Sequence, residues 1–315
     1  MAYSASKFNV FVPGPIQKIK TDWSQDQLFI KRLDLIQSWA DGNKYYKLKN
    51  NIAYALEHAI GTIVSKGGMF SNHLYSLAHA CSKFELDLVC VVRSYKPDHE
   101  NPTIRELEAL SKKIIYLSPE DYNHFDESEA QKLFPGSMFI PEGGMGKNAM
   151  DSMEELMKEC LIAQPNHIIV AGGSMTTACG LIAASPEGLN IISVPAWKGC
   201  TDKYINDILL ENNISPQGKW EIWNDAHHGG FASWDNALLD FMYCFTKSTN
   251  IPLDPIYTAK MMYAVKEKIK EDYFSKDDTI LALHTGGLQG VRGFAHRYPE
   301  EWGGYEKLIE SSLPL

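Results

Sequence analysis

TIVSKGGMFSNHLYSLAHACSKFELDLVCVV, residues 62–92, decides the fold class. Residues 62–65 form a short β-prone run that ends just before the doublet Gly67-Gly68. Residues 72–84 then place apolar side chains at helical spacing, with Ser71 positioned to cap them. LVCVV, residues 88–92, is an unbroken apolar strand. Strand, glycine loop, helix, strand is the βαβ unit. A strand that is apolar at every position is one covered on both faces, as in a parallel sheet.

The same alternation continues on either side. Residues 28–36 read as a strand and 46–58 as a helix. Beyond the opening unit, 114–117, 138–140, 167–171, 190–195 and 279–283 read as strands. Residues 151–162, 176–184, 203–210, 235–245 and 260–273 carry helical patterns. The chain is therefore expected to be α/β, with two open, twisted, mostly parallel sheets flanked by helices. Its 315 residues suit about two domains of ~150 residues. No internal repeat or low-complexity linker marks where one would end.

Composition narrows the partners. A formal net charge of −9 disfavours nucleic acid and anionic membrane surfaces. The six cysteines form no CxxC pair and lie mostly in apolar segments, where thiols behave as small hydrophobes. With no apolar leader and no long apolar span, the expectation is a cytoplasmic protein. His227-His228 is the one adjacent histidine pair and there is no HExxH, so no metal is expected.

Three loops carry the chemistry. In IIVAGGSMTTACG, 168–180, a buried strand runs into small and hydroxylated residues where a helix begins. Free N–H groups there, with the hydroxyls of Ser174, Thr176 and Thr177, could cradle a phosphate or simply cap the helix. The loop is neither a Walker A motif nor GxGxxG. GGMFSNH, 67–73, and LHTGGLQ, 283–289, are two more polar glycine loops after strands. In open α/β sheets such loops converge on one crevice at the carboxyl ends of the strands. A fourth segment, DGNKYYKLK, 41–49, puts Lys44 at the start of a helix, where spacing alone suggests a solvated charge.

Six segments taken together change that reading: GNKYYKLK (42–49), GGMFSNH (67–73), IPEGG (140–144), GGSMTTACG (172–180), LDPIYTAK (253–260) and HTGGLQG (284–290). In order and spacing they resemble the 1-aminocyclopropane-1-carboxylate (ACC) deaminase and D-cysteine desulfhydrase family. These are pyridoxal-phosphate enzymes of the tryptophan-synthase-β-like class, fold type II. The resemblance implies that Lys44 carries pyridoxal 5'-phosphate covalently and that Lys47 lies nearby. It puts Asn72 on the cofactor's phenolic oxygen and Ser71 on the substrate carboxylate or a moving proton. It assigns the phosphate to Gly173, Ser174, Met175, Thr176 and Thr177, with Met175 replacing a usual glycine. Tyr257 matches the family tyrosine, and His73 stands where desulfhydrases often have histidine. The catalytic set so implied is Lys44, Ser71 and Tyr257.

Three departures bear on the substrate. Thr258 stands where deaminases have a glutamate facing the pyridine nitrogen and Thr285 where they have leucine, so the resemblance places both hydroxyls against the cofactor; Phe231 stands where they have a tyrosine. They favour the desulfhydrase branch: β-elimination from a small amino acid, D-cysteine giving pyruvate, sulfide and ammonia. The alternatives are ACC deamination, a lyase or racemase acting on another D- or L-amino acid, and a non-enzymatic cofactor-binding protein. The broad class is a lyase, a deaminase or, more loosely, a hydrolase. The resemblance further implies a larger domain of 1–49 plus 149–315, a smaller one of 50–148, the cofactor between them, and a homodimer.

Overall fold

The computed structural model describes residues 12–24 and 26–312. The strands in chain order are β1 Ile16–Lys18, β2 Leu28–Arg32, β3 Thr62–Gly68, β4 Asp87–Arg93, β5 Lys113–Leu117, β6 Met138–Ile140, β7 His167–Gly172, β8 Asn190–Pro195, β9 Lys219–Ile222 and β10 Ile280–His284. The helices are α1 Lys44–Glu57, α2 Asn72–Phe84, α3 Pro102–Leu110, α4 Pro119–His124, α5 Glu127–Leu133, α6 Lys147–Asp151, α7 Met153–Cys160, α8 Thr176–Ala184, α9 Asp202–Glu211, α10 Asn236–Thr249, α11 Thr258–Lys270, α12 Gln289–Arg297 and α13 Pro299–Ser312.

Two sheets form, as expected. One has six strands in the order β1-β2-β10-β7-β8-β9, the other four in the order β5-β4-β3-β6. Every pairing is parallel except that of β1 with β2. Strand β7 explains why the larger sheet is apolar throughout. Ile168 and Val170 point into one core with α1, α2, α7 and α8, while Ile169 and Ala171 point into another with α10, α11 and α13. That is the period of two expected of a strand covered on both faces. The smaller sheet does the same, with Val89 and Val91 facing Tyr122 and Phe125, and Cys90 and Val92 facing α2.

The expected helix over 151–162 is in fact two, α6 and α7, meeting at Ser152, followed by a 3-10 turn at Leu161–Ala163. The strand expected over 28–36 stops at Arg32 and gives way to a 3-10 turn. Five of the six cysteines are buried thiols, and Cys244 is exposed. Among the described residues no helix is long and apolar enough to cross a membrane.

Candidate active site

Strands β3, β7 and β10 each end at a glycine loop, and all three loops open on one cavity of about 820 Å³. Ligand sites of 300–1,000 Å³ are ordinary, and this position at the carboxyl ends of parallel strands is the usual one. Of the sequence-derived residues, Lys44, Lys47, Ser71, Asn72, Gly173, Ser174, Met175, Thr177, Tyr257 and Thr285 line it. So do His73 and Phe231.

Lys44 is the first residue of α1, and the segment before it is clamped in place. Asn43 N–H donates to Thr285 O at 3.1 Å. Asn43 Nδ2 donates to Thr177 Oγ1 at 3.0 Å, while Lys44 Nζ donates to Asn43 Oδ1 at 2.9 Å. One asparagine thus bridges the lysine amine and the first turn of α8. Gly42 makes the approach possible: its φ is +56°, and a Cβ there would lie 2.1 Å from Thr285 O. Gly42→Ala is therefore expected to cost about 3 kcal/mol from left-handed strain and overlap combined. The fall should appear in the denaturant midpoint at unchanged slope. A variant as stable as the parent would mean that this contact is soft.

Burial holds the Lys44 amine below the usual lysine range, partly opposed by the carboxylates of Asp41 and Asp254. Lys47, one turn on, donates to Gly143 O at 3.1 Å and to Ser174 Oγ at 3.2 Å. Burial, then the nearby Lys44 cation, push it well below the lysine range. Both effects favour neutral amines, and an anion beside them would raise both pKa values again.

An anion has a place to go. Helix α8 begins at this cavity with no side-chain cap, because Met175 occupies its N-cap position. First-turn N–H groups, the Ser174 hydroxyl and Lys47 face the same space. Thr177 Oγ1 already accepts from Asn43, which leaves its own proton for a ligand. Met175 itself adopts φ +56°, the conformation a glycine would supply. Its side chain is buried beneath the loop, and a Cβ on Gly172 would come 2.3 Å from its sulfur. The departure from glycine thus keeps the turn and adds core packing.

The opposite wall is set by α2. Ser71 caps it, its Oγ accepting from Leu74 N at 3.2 Å. Asn72 Oδ1 accepts from Gln289 Nε2, and Gln289 Oε1 accepts from Thr103 Oγ1 at 2.9 Å. With its oxygen engaged, Asn72 presents its NH₂ group. The Ser65 hydroxyl donates to Ile140 O at 2.7 Å, so at 2.8 Å it accepts from His73 Nε2–H. That fixes the tautomer and leaves His73 Nδ1 a buried lone pair without a partner. Burial, then Lys44 and Lys47, hold this imidazole well below the histidine range, hence neutral. The Tyr257 phenol is kept protonated chiefly by burial, and its ring stands 6.2 Å from that of Phe231.

Two of the residues expected at the cofactor, Thr258 and Thr176, are not among those that line the cavity, although the Thr176 N–H belongs to the first turn of α8. Thr258 is fully buried, its hydroxyl donating to Asp254 Oδ2 at 2.9 Å, and it does not line the cavity. Asp254 takes three N–H groups of the α11 start as well, so position 258 serves a capping carboxylate. Thr176 shares a 3.0 Å hydrogen bond with Ser174 and also stays off the wall. Asn43 lines the cavity and Gln289 orients Asn72 from behind; they stand inside the 42–49 and 284–290 motifs, where residue type and spacing do not distinguish them.

The sequence profile of the family described as "Pyridoxal-phosphate dependent enzyme" matches residues 14–286. This chain belongs to that family. It is an enzyme, and its cofactor is pyridoxal phosphate. The D-cysteine desulfhydrase of Salmonella typhi is 26% identical over 312 residues, covering 89% of this chain and 93% of that protein. A solved ACC deaminase homologue superposes with a TM-score of 0.78 at 20% identity, covering 94% of each chain. Threonine deaminase isoform 2 of Solanum lycopersicum superposes at 0.64 with 14% identity, covering 88% of this chain and 84% of that one. The fold is accordingly the tryptophan-synthase-β-like one expected from the motifs. These relatives support a lyase or deaminase in this pyridoxal-phosphate family rather than the looser hydrolase class.

The cavity fits the cofactor. An uncapped helix start, the Ser174 and Thr177 hydroxyls and Lys47 suit a phosphate, and the Lys44 amine of lowered pKa suits covalent attachment to an aldehyde.

Proposed function

We propose that the enzyme eliminates a β-substituent from a small amino acid, D-cysteine foremost, with release of pyruvate, sulfide and ammonia. The observation that carries the reading is the Asn43 bridge, which holds the Lys44 amine and the Thr177 hydroxyl beside one uncapped helix. Bound pyridoxal phosphate supplies the electron sink for the substrate α-carbon. Lys44 holds the cofactor and, made neutral by burial, takes the α-proton. Lys47, Ser174, Thr177 and the backbone of Gly173 and Met175 hold the phosphate. Asn72 offers its NH₂ to the cofactor oxygen. The Ser71 oxygen accepts from Leu74, so its proton is free to bind the substrate carboxylate. Tyr257 keeps a proton at the cavity wall for the departing group.

Phe231 supports elimination over ring opening, since it lines the cavity and has no hydroxyl to donate. Thr258, bonded to Asp254 and away from the cavity wall, lends that reading no direct support. A screen of D-cysteine, L-cysteine, D-serine and ACC for keto-acid release tests the proposal. Sulfide and pyruvate from D-cysteine are the expected products. Keto-acid from ACC alone would overturn the reading in favour of a deaminase. The division into 1–49 plus 149–315 and 50–148, and a homodimeric state, belong to the same proposal. A monomer at every concentration in sedimentation would contradict the latter.

A further inference from the structure

Lys260, on the first turn of α11, is fully buried. Among the described residues no carboxylate pairs with it. Its Nζ donates instead to Gly230 O at 2.7 Å and to Ala196 O at 3.4 Å. Both carbonyls belong to segments that build the cavity wall. Ala196 precedes Trp197, which lines the cavity and whose Nε1 donates to Gly173 O at 2.9 Å. Ala196 N–H also donates to Gly172 O at 2.8 Å. Gly230 precedes Phe231 and Ala232, which line the cavity too.

We propose that Lys260 is a positioning residue that ties the 196–197 and 230–231 segments together from behind, so that Trp197 and Phe231 present a fixed surface to the substrate side chain. The proposal rests on the reading of this cavity as the substrate site. A methionine would fill the same volume without burying a charge, which is costly when no carboxylate is in contact. What the lysine adds is the pair of carbonyl tethers. Among the described residues Gly230 O otherwise accepts only from Ser233 N–H, at 3.1 Å, and the flanking Gly229, Phe231 and Ala232 are exposed.

The tether is sensitive to pH. Burial pulls Lys260 down to about 8, against the attraction of Asp254 and Asp235. Around it stand Asp254 and Tyr257 at the start of α11, and the His228–Asp235 pair at 3.0 Å ahead of α10. Asp225 lies on the 3-10 turn packed against α11, and the stem of Lys198 lies beside Gly230. Below about pH 8 the ammonium makes charge-assisted bonds. As pH rises through that value the proton leaves, and each bond falls to roughly half its strength.

Hydrogen exchange in the cofactor-loaded protein tests this without requiring that the substrate be known. In Lys260→Met, amides at 227–233 should exchange roughly tenfold faster or more. Amides of β3 and β4 should be unchanged, and the melting temperature should not fall. In the parent, exchange at 227–233, corrected for its intrinsic pH dependence, should accelerate between pH 7 and 9. With any amino acid the parent turns over, the variant should raise KM and keep kcat. Unchanged exchange in a folded Lys260→Met, or a flat corrected profile in the parent, overturns the proposal. So does a fall in kcat at unchanged KM. Should Lys260→Met fail to fold, the parent's pH profile decides alone. Inactivity of the parent on every amino acid tried would count against the proposed function and leave the exchange result standing.

Discussion

Lys44→Ala removes the visible absorption that the parent acquires with pyridoxal phosphate, even at saturating cofactor. Binding itself persists, because the α8 start, Ser174, Thr177 and Lys47 are untouched. Activity falls much further than affinity. Loss of a positioned base alone costs typically 10²–10⁴-fold, and loss of the covalent attachment adds to that. A second readout uses the cofactor-free parent. Burial lowers the Lys44 pKa, so the neutral, reactive amine is reached at lower pH than for a free lysine near ~10.4. Its rate of modification by an amine reagent should rise with pH and level off below that value. Levelling at the free-lysine value would mean that the amine is solvated.

Thr177→Val should leave the fold intact by circular dichroism and weaken pyridoxal phosphate binding about 10–150-fold, the equivalent of roughly 1.5–3 kcal/mol for one charge-assisted hydrogen bond. The reason lies in how the hydroxyl is used. Its oxygen accepts from Asn43 Nδ2, so its proton is the one an anion would receive. The variant also leaves Asn43 Nδ2 without that acceptor, which should loosen the Lys44 bridge. Cofactor affinity equal to the parent's would mean that Thr177 only braces Asn43.

How far the sequence reads depends on which forces set each element. The unit at 62–92 is legible because its strands are long and buried, and its helix carries an unambiguous cap. Strands β1 (IQK) and β9 (KWEI) are not legible because they are short and mix charged or polar residues with apolar ones, giving neither an apolar run, as the equally short MFI of β6 does, nor a period of two. The break at Ser152 carries no Pro or Gly signal, so 151–162 looked continuous. Within the site, the glycine loops announced the cavity. The partners inside those loops did not announce themselves, since whether Asn43 bridges Thr177 across 134 residues is decided by tertiary packing. Thr258 shows the limit of motif matching: the resemblance puts its hydroxyl against the cofactor, whereas in the structure a capping carboxylate four residues earlier holds it. Met175 is the converse: a residue unfavourable for its turn is tolerated because its side chain fills the space under Gly172.

Peptide mapping after borohydride reduction of the cofactor-loaded protein addresses the central claim most directly. Lys44 and Lys47 both line the cavity, and burial lowers the pKa of each, so each is chemically able to react. Only Lys44 is held by Asn43 between Thr177 and Thr285, whereas Lys47 is turned to Gly143 and Ser174. The account predicts cofactor fixed on Lys44 alone, with Lys47→Ala still labelled there. Label on Lys47, or on any lysine other than Lys44, would contradict it.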